Sequence, residues 1–328
     1  MSISKQIFVV GMNGSGTTLL ADCLGHGEGL FAFVHETRLL PSLLEAFPAS
    51  EEPFSVDRAT QLWERLCNIP VVKDQLGATL DSIPAWPGTH EFSTTVDALF
   101  NVLARAAGRR TDVAWIEKTP MHALKIDELS KRFPSSVFIH VIRDGRDCAA
   151  SFHRRWRRTP MLTISRWVQL IQRARRQGQA LGPSRYMEIR FEEFTENPEG
   201  VLRNICDTFS IEFDPAMTTA KTRKKTNQFG SQIVARDAVW KSYFNCTMQQ
   251  KLEAVAGKAL SEEGYSVSSE GESLPSRYQL KYWFVVDYIR QGVFEFVDDV
   301  RNDGVMRGSS RFLEKTRAAL TQLRQIAR

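Results

Sequence analysis

The sequence predicts an α/β fold with a mainly parallel central sheet flanked by helices, and three observations point there. The run Lys5-Gln-Ile-Phe-Val-Val-Gly11 is short, almost wholly apolar and ends in glycine, as suits a strand buried on both faces of a parallel sheet. Strand-like and helix-like stretches alternate after it, the pattern of a doubly wound sheet. The chain has 328 residues, 42% hydrophobic and 25% charged, enough to bury a sizeable core without disulfides or metals.

The elements follow in order. After the first strand, Thr17–Leu24 reads as a helix and Gly29–Val34 as a second strand. Leu39, Leu40, Leu43, Leu44 and Phe47 give 36–47 a helical face, and residues 55–107 read as mostly helical, broken by Pro70, Pro84 and Pro87. Asp112–Ile116 is a third strand, Ala123–Phe133 a helix closed by Pro134, and 136–142 the clearest later strand. The acids of Arg143-Asp-Gly-Arg-Asp147 can cap the helix that follows. Arg185–Arg190 is a last strand, and Pro198 sits in the first turn of a helix reaching Phe209. Residues 266–277 are rich in Ser, Gly and Glu and read as a linker or exposed loop. They separate a domain over 1–265 from a helical C-terminal extension over 278–328, which can pack on the domain, form a homodimer contact or lie against a membrane surface.

Composition excludes several classes. No apolar run approaches the roughly 18 residues of a membrane span, and Met1–Lys5 shows no secretory leader pattern. The five cysteines are scattered without CxxC spacing, which argues against a disulfide framework or a zinc site and for a cytoplasmic protein. A net charge of +5 favours anionic ligands but is too mild to signal nucleic acid, and no nucleic-acid module is recognisable.

Between the first strand and helix lies Gly11-Met-Asn-Gly-Ser-Gly-Thr-Thr18. Its glycines let successive N–H groups turn inward, and the helix N-terminus adds positive potential, so the loop can cradle an anion. Against the nucleotide pattern G-x-x-x-x-G-K-[ST], Gly11, Gly16 and Thr18 fit, but Thr17 stands where the lysine belongs. The plain alternative is a turn that needs its glycines sterically. Arg143, at the carboxyl end of strand 136–142, and Ser151, eight residues on, can reach one phosphate, the guanidinium bidentate and the hydroxyl as a neutral donor. The alternative for Arg143 is a salt bridge to Asp144 or Asp147. Eight arginines and no acid lie between Ser151 and Gln179, a one-sided stretch whose field would draw in a polyanion.

Gly14-Ser-Gly-Thr-Thr18, Lys118-Thr-Pro120, Val141-Ile-Arg-Asp-Gly-Arg-Asp147 with Ser151, and Glu188–Pro198, in this order, resemble the signature segments of sulfotransferases that use 3′-phosphoadenosine 5′-phosphosulfate (PAPS). Trp240 through Tyr265 resembles that family's closing segment, so the match spans about 5–265. The resemblance implies a P-loop NTPase-like sulfotransferase fold, PAPS as donor, no metal and a hydroxyl-bearing acceptor, carbohydrate, tyrosine or other small molecule. It implies that Asn13, Gly14, Ser15, Gly16, Thr17 and Thr18 hold the 5′-phosphosulfate, that Arg143 and Ser151 hold the 3′-phosphate, and that Phe191 lies near the adenine or in the core. Relatives usually carry Lys or Arg where this chain has Gly14, and Lys118 is the substitute cation, the alternative being a surface lysine paired with Glu117. His35-Glu-Thr-Arg-Leu-Leu-Pro41 resembles the segment of tyrosylprotein sulfotransferases that bears the catalytic glutamate, which implies Glu36 as general base and Arg38 as a positioning group. The macrodipole alone can favour a glutamate at a helix start, and His35 and His122 are rival bases. Two other classes stay open: a Mg-nucleotide-dependent kinase-like enzyme and a non-catalytic nucleotide-binding module.

Overall fold

The computed structural model describes residues 5–33, 35–37, 40–76, 91–109, 114–219, 233, 238–268, 275–276 and 278–287. Five strands, β1 (Gln6–Gly11), β2 (Leu30–Phe33), β3 (Ala114–Glu117), β4 (Val137–Ile142) and β5 (Tyr186–Arg190), form one sheet in the order β2-β3-β1-β4-β5. Every pairing is parallel. The expected α/β architecture is therefore present, with all the predicted strands in it.

The chain divides into two compact units, residues 1–143 with 170–236, and 144–169 with 237–328. The first holds the whole sheet. Alternation along β1 sends Ile7 and Val9 to a core shared with α1 (Thr17–Leu24), Ile139 and Val141. Phe8 faces the other side, where its ring meets Trp115, Phe133 and Phe138 at centroid distances of 5.5, 5.4 and 5.2 Å. Trp115 donates its indole N–H to Asp97 at 2.7 Å, so the one polar atom of this aromatic layer is satisfied.

Helices of this unit follow from their apolar stripes and caps. After α2 (Leu40–Ala46), α3 (Val56–Cys67) begins where the Ser55 side chain accepts from the Arg58 N–H, and it buries Ala59, Leu62, Trp63 and Leu66 at helical spacing. Next come α4 (Pro70–Leu76) and α5 (Phe92–Ala106), the latter opened by a capping box of Glu91 and Thr94. The helix expected over 123–133 is two elements: a 3₁₀ turn at Pro120–Leu124, with proline at its start, then α6 (Ile126–Arg132). That helix has acids in its first turn and bases in its last, matching the macrodipole.

In the second unit, α7 (Gly145–Trp156) is capped by Asp144, which accepts from the Arg146 N–H at 2.8 Å, as the acids after Arg143 suggested. The buried Arg146 side chain bonds Asp144 at 2.8 Å and Glu253 at 2.6 Å and lies 3.8 Å above the Trp240 ring. A guanidinium so placed spends its donors on carboxylates and its face on an aromatic, which makes its burial tolerable. The division between units falls inside α8 (Pro160–Gln179). Back in the first unit, α9 (Phe191–Glu196) follows β5, and α10 (Pro198–Phe209) is capped by Asn197. In the second, α11 (Val239–Tyr243) and α12 (Cys246–Glu262) follow, and residues 278–287 are helical.

Candidate functional site

In a parallel sheet all strands present their carboxyl ends at one edge, and ligands bind where neighbouring strands send their chains to opposite sides. Here β1 leads toward β2 and β4 toward β5, on opposite flanks of the sheet. The residues after β1, β2, β3 and β4 include most of those singled out from the sequence, and all of these belong to the first unit.

After β1 the loop has Gly14 at φ +91° and Gly16 at φ +98°, a left-handed region that side chains rarely adopt. Gly16 is the N-cap of α1 and gives it no side-chain hydrogen bond, and the helix has no acid in its first turn. The positive end of α1 is thus left without a carboxylate of its own first turn. Ser15 and Thr17 are buried, while Asn13 and Thr18 are half-buried. The glycines of this loop also have steric reasons. A Cβ on Gly16 would lie 2.2 Å from the Phe191 ring.

Arg143, directly after β4, donates from Nη1 to the Gly14 carbonyl at 3.0 Å, and its guanidinium lies 4.5 Å from the Phe191 centroid. Phe191 is buried in the core and braces both the loop and the arginine. Of the two alternative partners for Arg143, Asp144 also pairs with Arg146, and Asp147 also accepts from the Trp240 N–H at 2.9 Å.

Glu36 and Lys118, read from segments more than eighty residues apart in sequence, meet at 3.4 Å between Oε1 and Nζ. Lys118 is buried and Glu36 half-buried, so this lysine is not the surface residue paired with Glu117 that was the alternative. Glu36 is not helical, and among the described residues α2 spans Leu40–Ala46 with no acid in its first turn.

Glu117, fully buried at the end of β3, has other partners. Its Oε1 accepts from the Thr37 hydroxyl at 2.9 Å, the Thr37 N–H at 3.4 Å and the Thr119 hydroxyl at 2.5 Å, while Oε2 lies 2.9 Å from His122 Nδ1. Burial pushes its pKa up, but the charge and hydrogen bond of His122 with the two threonine bonds outweigh that and hold it below the ordinary value. His122 is buried on this carboxylate, whereas His35 is exposed with its ring 5.7 Å from that of Phe33.

Other expected residues fall elsewhere. Ser151 is buried on α7 in the second unit, and Arg38 lies outside the described residues. Two of the eight arginines in the stretch meet acids. Arg175 pairs with Glu188 at 2.7 Å in the first unit, and Arg158 with Asp287 at 2.6 Å in the second, both acids coming from outside the stretch. No cluster of His, Cys, Asp and Glu suited to a metal occurs among the described residues. Sequence reasoning missed Glu117 and Thr37. The signal for Glu117 was a carboxylate ending an apolar strand with Thr119 and His122 close behind, whereas Thr37 lies within the His35–Pro41 segment but was given no role there.

Comparison with known proteins agrees with this architecture. Residues 6–215 match the sulfotransferase family. Omega-hydroxy-beta-dihydromenaquinone-9 sulfotransferases of Mycobacterium bovis and Mycobacterium tuberculosis are each 28% identical over 121 residues, a stretch covering 33% of this chain and only 31% of theirs. In fold, the chain resembles the sulfotransferase domain of the Synechococcus PCC 7002 olefin synthase, with 20% identity over 80% of this chain and 96% of that one and a TM-score of 0.51. Its fold is similarly like that of the sulfotransferase domain from the curacin biosynthetic pathway, at 17% identity over 81% of this chain and 100% of that one, with a TM-score of 0.51. With the family match spanning well over half of its length, this chain belongs to the sulfotransferase family.

Proposed function

We propose that this protein is a PAPS-dependent sulfotransferase that moves a sulfuryl group to an acceptor hydroxyl by in-line displacement. The observation that carries this reading is the Glu36–Lys118 contact, held at the same sheet edge as the glycine loop and Arg143. Sulfuryl transfer needs a base for the hydroxyl proton and positive charge at the departing phosphate, and a carboxylate beside a buried ammonium can supply both.

Loop residues Asn13, Gly14, Ser15, Gly16, Thr17 and Thr18 would hold the 5′-phosphosulfate through backbone N–H groups and hydroxyls. Arg143 would meet the 3′-phosphate, with Ser151 joining it on the strength of the sequence resemblance, and Arg38 would help orient the acceptor on the same ground. Glu36 takes the proton of the acceptor hydroxyl as its oxygen forms a bond to sulfur. Lys118, the loop amides and the Thr17 and Thr18 hydroxyls stabilise the 5′-phosphate oxygen as its bond to sulfur breaks. The products are a sulfate ester and adenosine 3′,5′-bisphosphate.

Position 14 fits this division of labour. A residue at φ +91° is best glycine, so a cation is disfavoured there, and the chain brings its charges from Lys118 after β3 and Arg143 after β4. Thr17 in the lysine position weighs against a Mg-nucleotide enzyme. Calorimetric titration tests the reading. Adenosine 3′,5′-bisphosphate without metal should bind at least tenfold more tightly than Mg–ATP, and Glu36→Gln should retain that binding while losing transfer to every acceptor in a hydroxyl array. Equal affinities, or full transfer by Glu36→Gln, would reject it.

A further inference from the structure

Glu117 has no exposed surface, yet four donors converge on its carboxylate from three positions: Thr37 through both its N–H and its hydroxyl, Thr119, and His122. The position of Thr37 gives this cluster its meaning. The described pairing of β2 with β3 runs to Phe33 opposite Glu117, and the described residues 35–37 have no regular secondary structure. No strand pairing fixes Glu36.

The Thr37 N–H belongs to the planar peptide unit that starts at the Glu36 Cα, so anchoring it orients the glutamate's backbone. The same residue that receives it also leads, one peptide bond on, into Lys118. Glu117 therefore governs both members of the pair, one through its side chain and the other through its main chain. Its ionised form suits the task, since a carboxylate that only accepts can take donors from several directions.

We propose that Glu117 is a positioning residue for the Glu36–Lys118 pair, acting through Thr37 to hold the irregular segment after β2 against the end of β3. This rests on the reading of Glu36 as base and Lys118 as the transition-state cation.

Replacing Glu117 itself would leave buried donors short of a partner and could unfold the strand end, so the test uses Thr37 in the full chain. Thr37→Val deletes the hydroxyl at nearly constant shape, and Thr37→Ser keeps it. Amide hydrogen exchange, which needs no acceptor, should quicken at least tenfold across residues 35–37 in Thr37→Val while β1 and β3 keep their protection. Transfer of labelled sulfuryl from PAPS to the best acceptor of the array should fall at least tenfold in kcat. KM for PAPS and Kd for adenosine 3′,5′-bisphosphate should stay within twofold. Thr37→Ser should recover most of both losses. Unchanged exchange in Thr37→Val, serine as damaging as valine, or kcat and nucleotide affinity falling together would overturn the proposal. Glu36→Gln separates the two layers: full turnover there rejects the base, while the exchange result for Thr37 still judges the anchor.

Discussion

Substituting Gly16 with alanine probes the phosphate loop at the point where two constraints coincide. The residue sits at φ +98°, where a side chain costs about 1–2 kcal/mol for backbone strain alone. A Cβ there would also fall 2.2 and 2.4 Å from two carbons of the Phe191 ring. That ring cannot retreat cheaply, because it is buried in the core and carries the Arg143 guanidinium on its face. Overpacking of this kind costs about 1–3 kcal/mol, so Gly16→Ala should lose about 2–5 kcal/mol between the two terms. Urea denaturation would read this loss, provided that the loop stays in place. If the loop instead yields to spare the core, the loss moves to affinity for adenosine 3′,5′-bisphosphate, measured by calorimetry. A double-mutant cycle with Phe191→Leu isolates the steric part, with a coupling of about 1–2 kcal/mol in the direction of relief. Backbone strain should remain in the double variant. Wild-type stability together with wild-type affinity in Gly16→Ala, or zero coupling to position 191, would refute the reasoning.

Two further outcomes follow from single side chains. Lys118→Ala should lower kcat about 100-fold or more while the Kd of adenosine 3′,5′-bisphosphate shifts only a few-fold, and parallel losses in steady-state kinetics and calorimetry would reduce Lys118 to a ground-state contact. Burial pushes the Glu188 carboxyl up, but nearby His140 and the hydrogen bonds from Arg175 and Tyr186 bring it down to about 2. Its depressed folded pKa means that its stabilising contribution is complete above the ordinary carboxylate range and is lost as pH falls toward about 2. Glu188→Gln should accordingly be less stable than wild type in urea at neutral pH, with the difference shrinking in acid, and a pH-independent difference would contradict the assignment.

Most of the fold was legible because its signals are local. The apolar run into Gly11, the helix start at Thr17 and the proline opening α10 need only a few consecutive residues to declare themselves. Boundaries slipped where a distant partner took over. Among the described residues, the apolar stripe of 36–47 is helical over Leu40–Ala46, whereas Glu36 and Thr37 are not helical and are engaged by Lys118 and Glu117. The 3₁₀ turn at Pro120–Leu124 likewise places His122 on the same carboxylate. In the arginine run, charge counted along the chain does not include acids that the fold delivers, as Glu188 is to Arg175.

The site divides along the same line. The residues expected to bind an anion cluster in one turn or at one strand end, so composition alone singles them out. What binds Glu36 to Lys118 is instead a buried carboxylate whose partners come from positions 37, 119 and 122, and no window of sequence contains them all. A composition scan weights Glu117 as one more charge beside a lysine, whereas a buried, ionised carboxylate is tolerable only if several donors meet it. Its place at the end of an apolar strand was thus a demand for partners, and the irregular segment after β2 supplies two of the donors that meet it. On the proposed reading, the pressure to satisfy one buried charge is what brings a base and a cation from opposite ends of an eighty-residue separation into a single reaction centre.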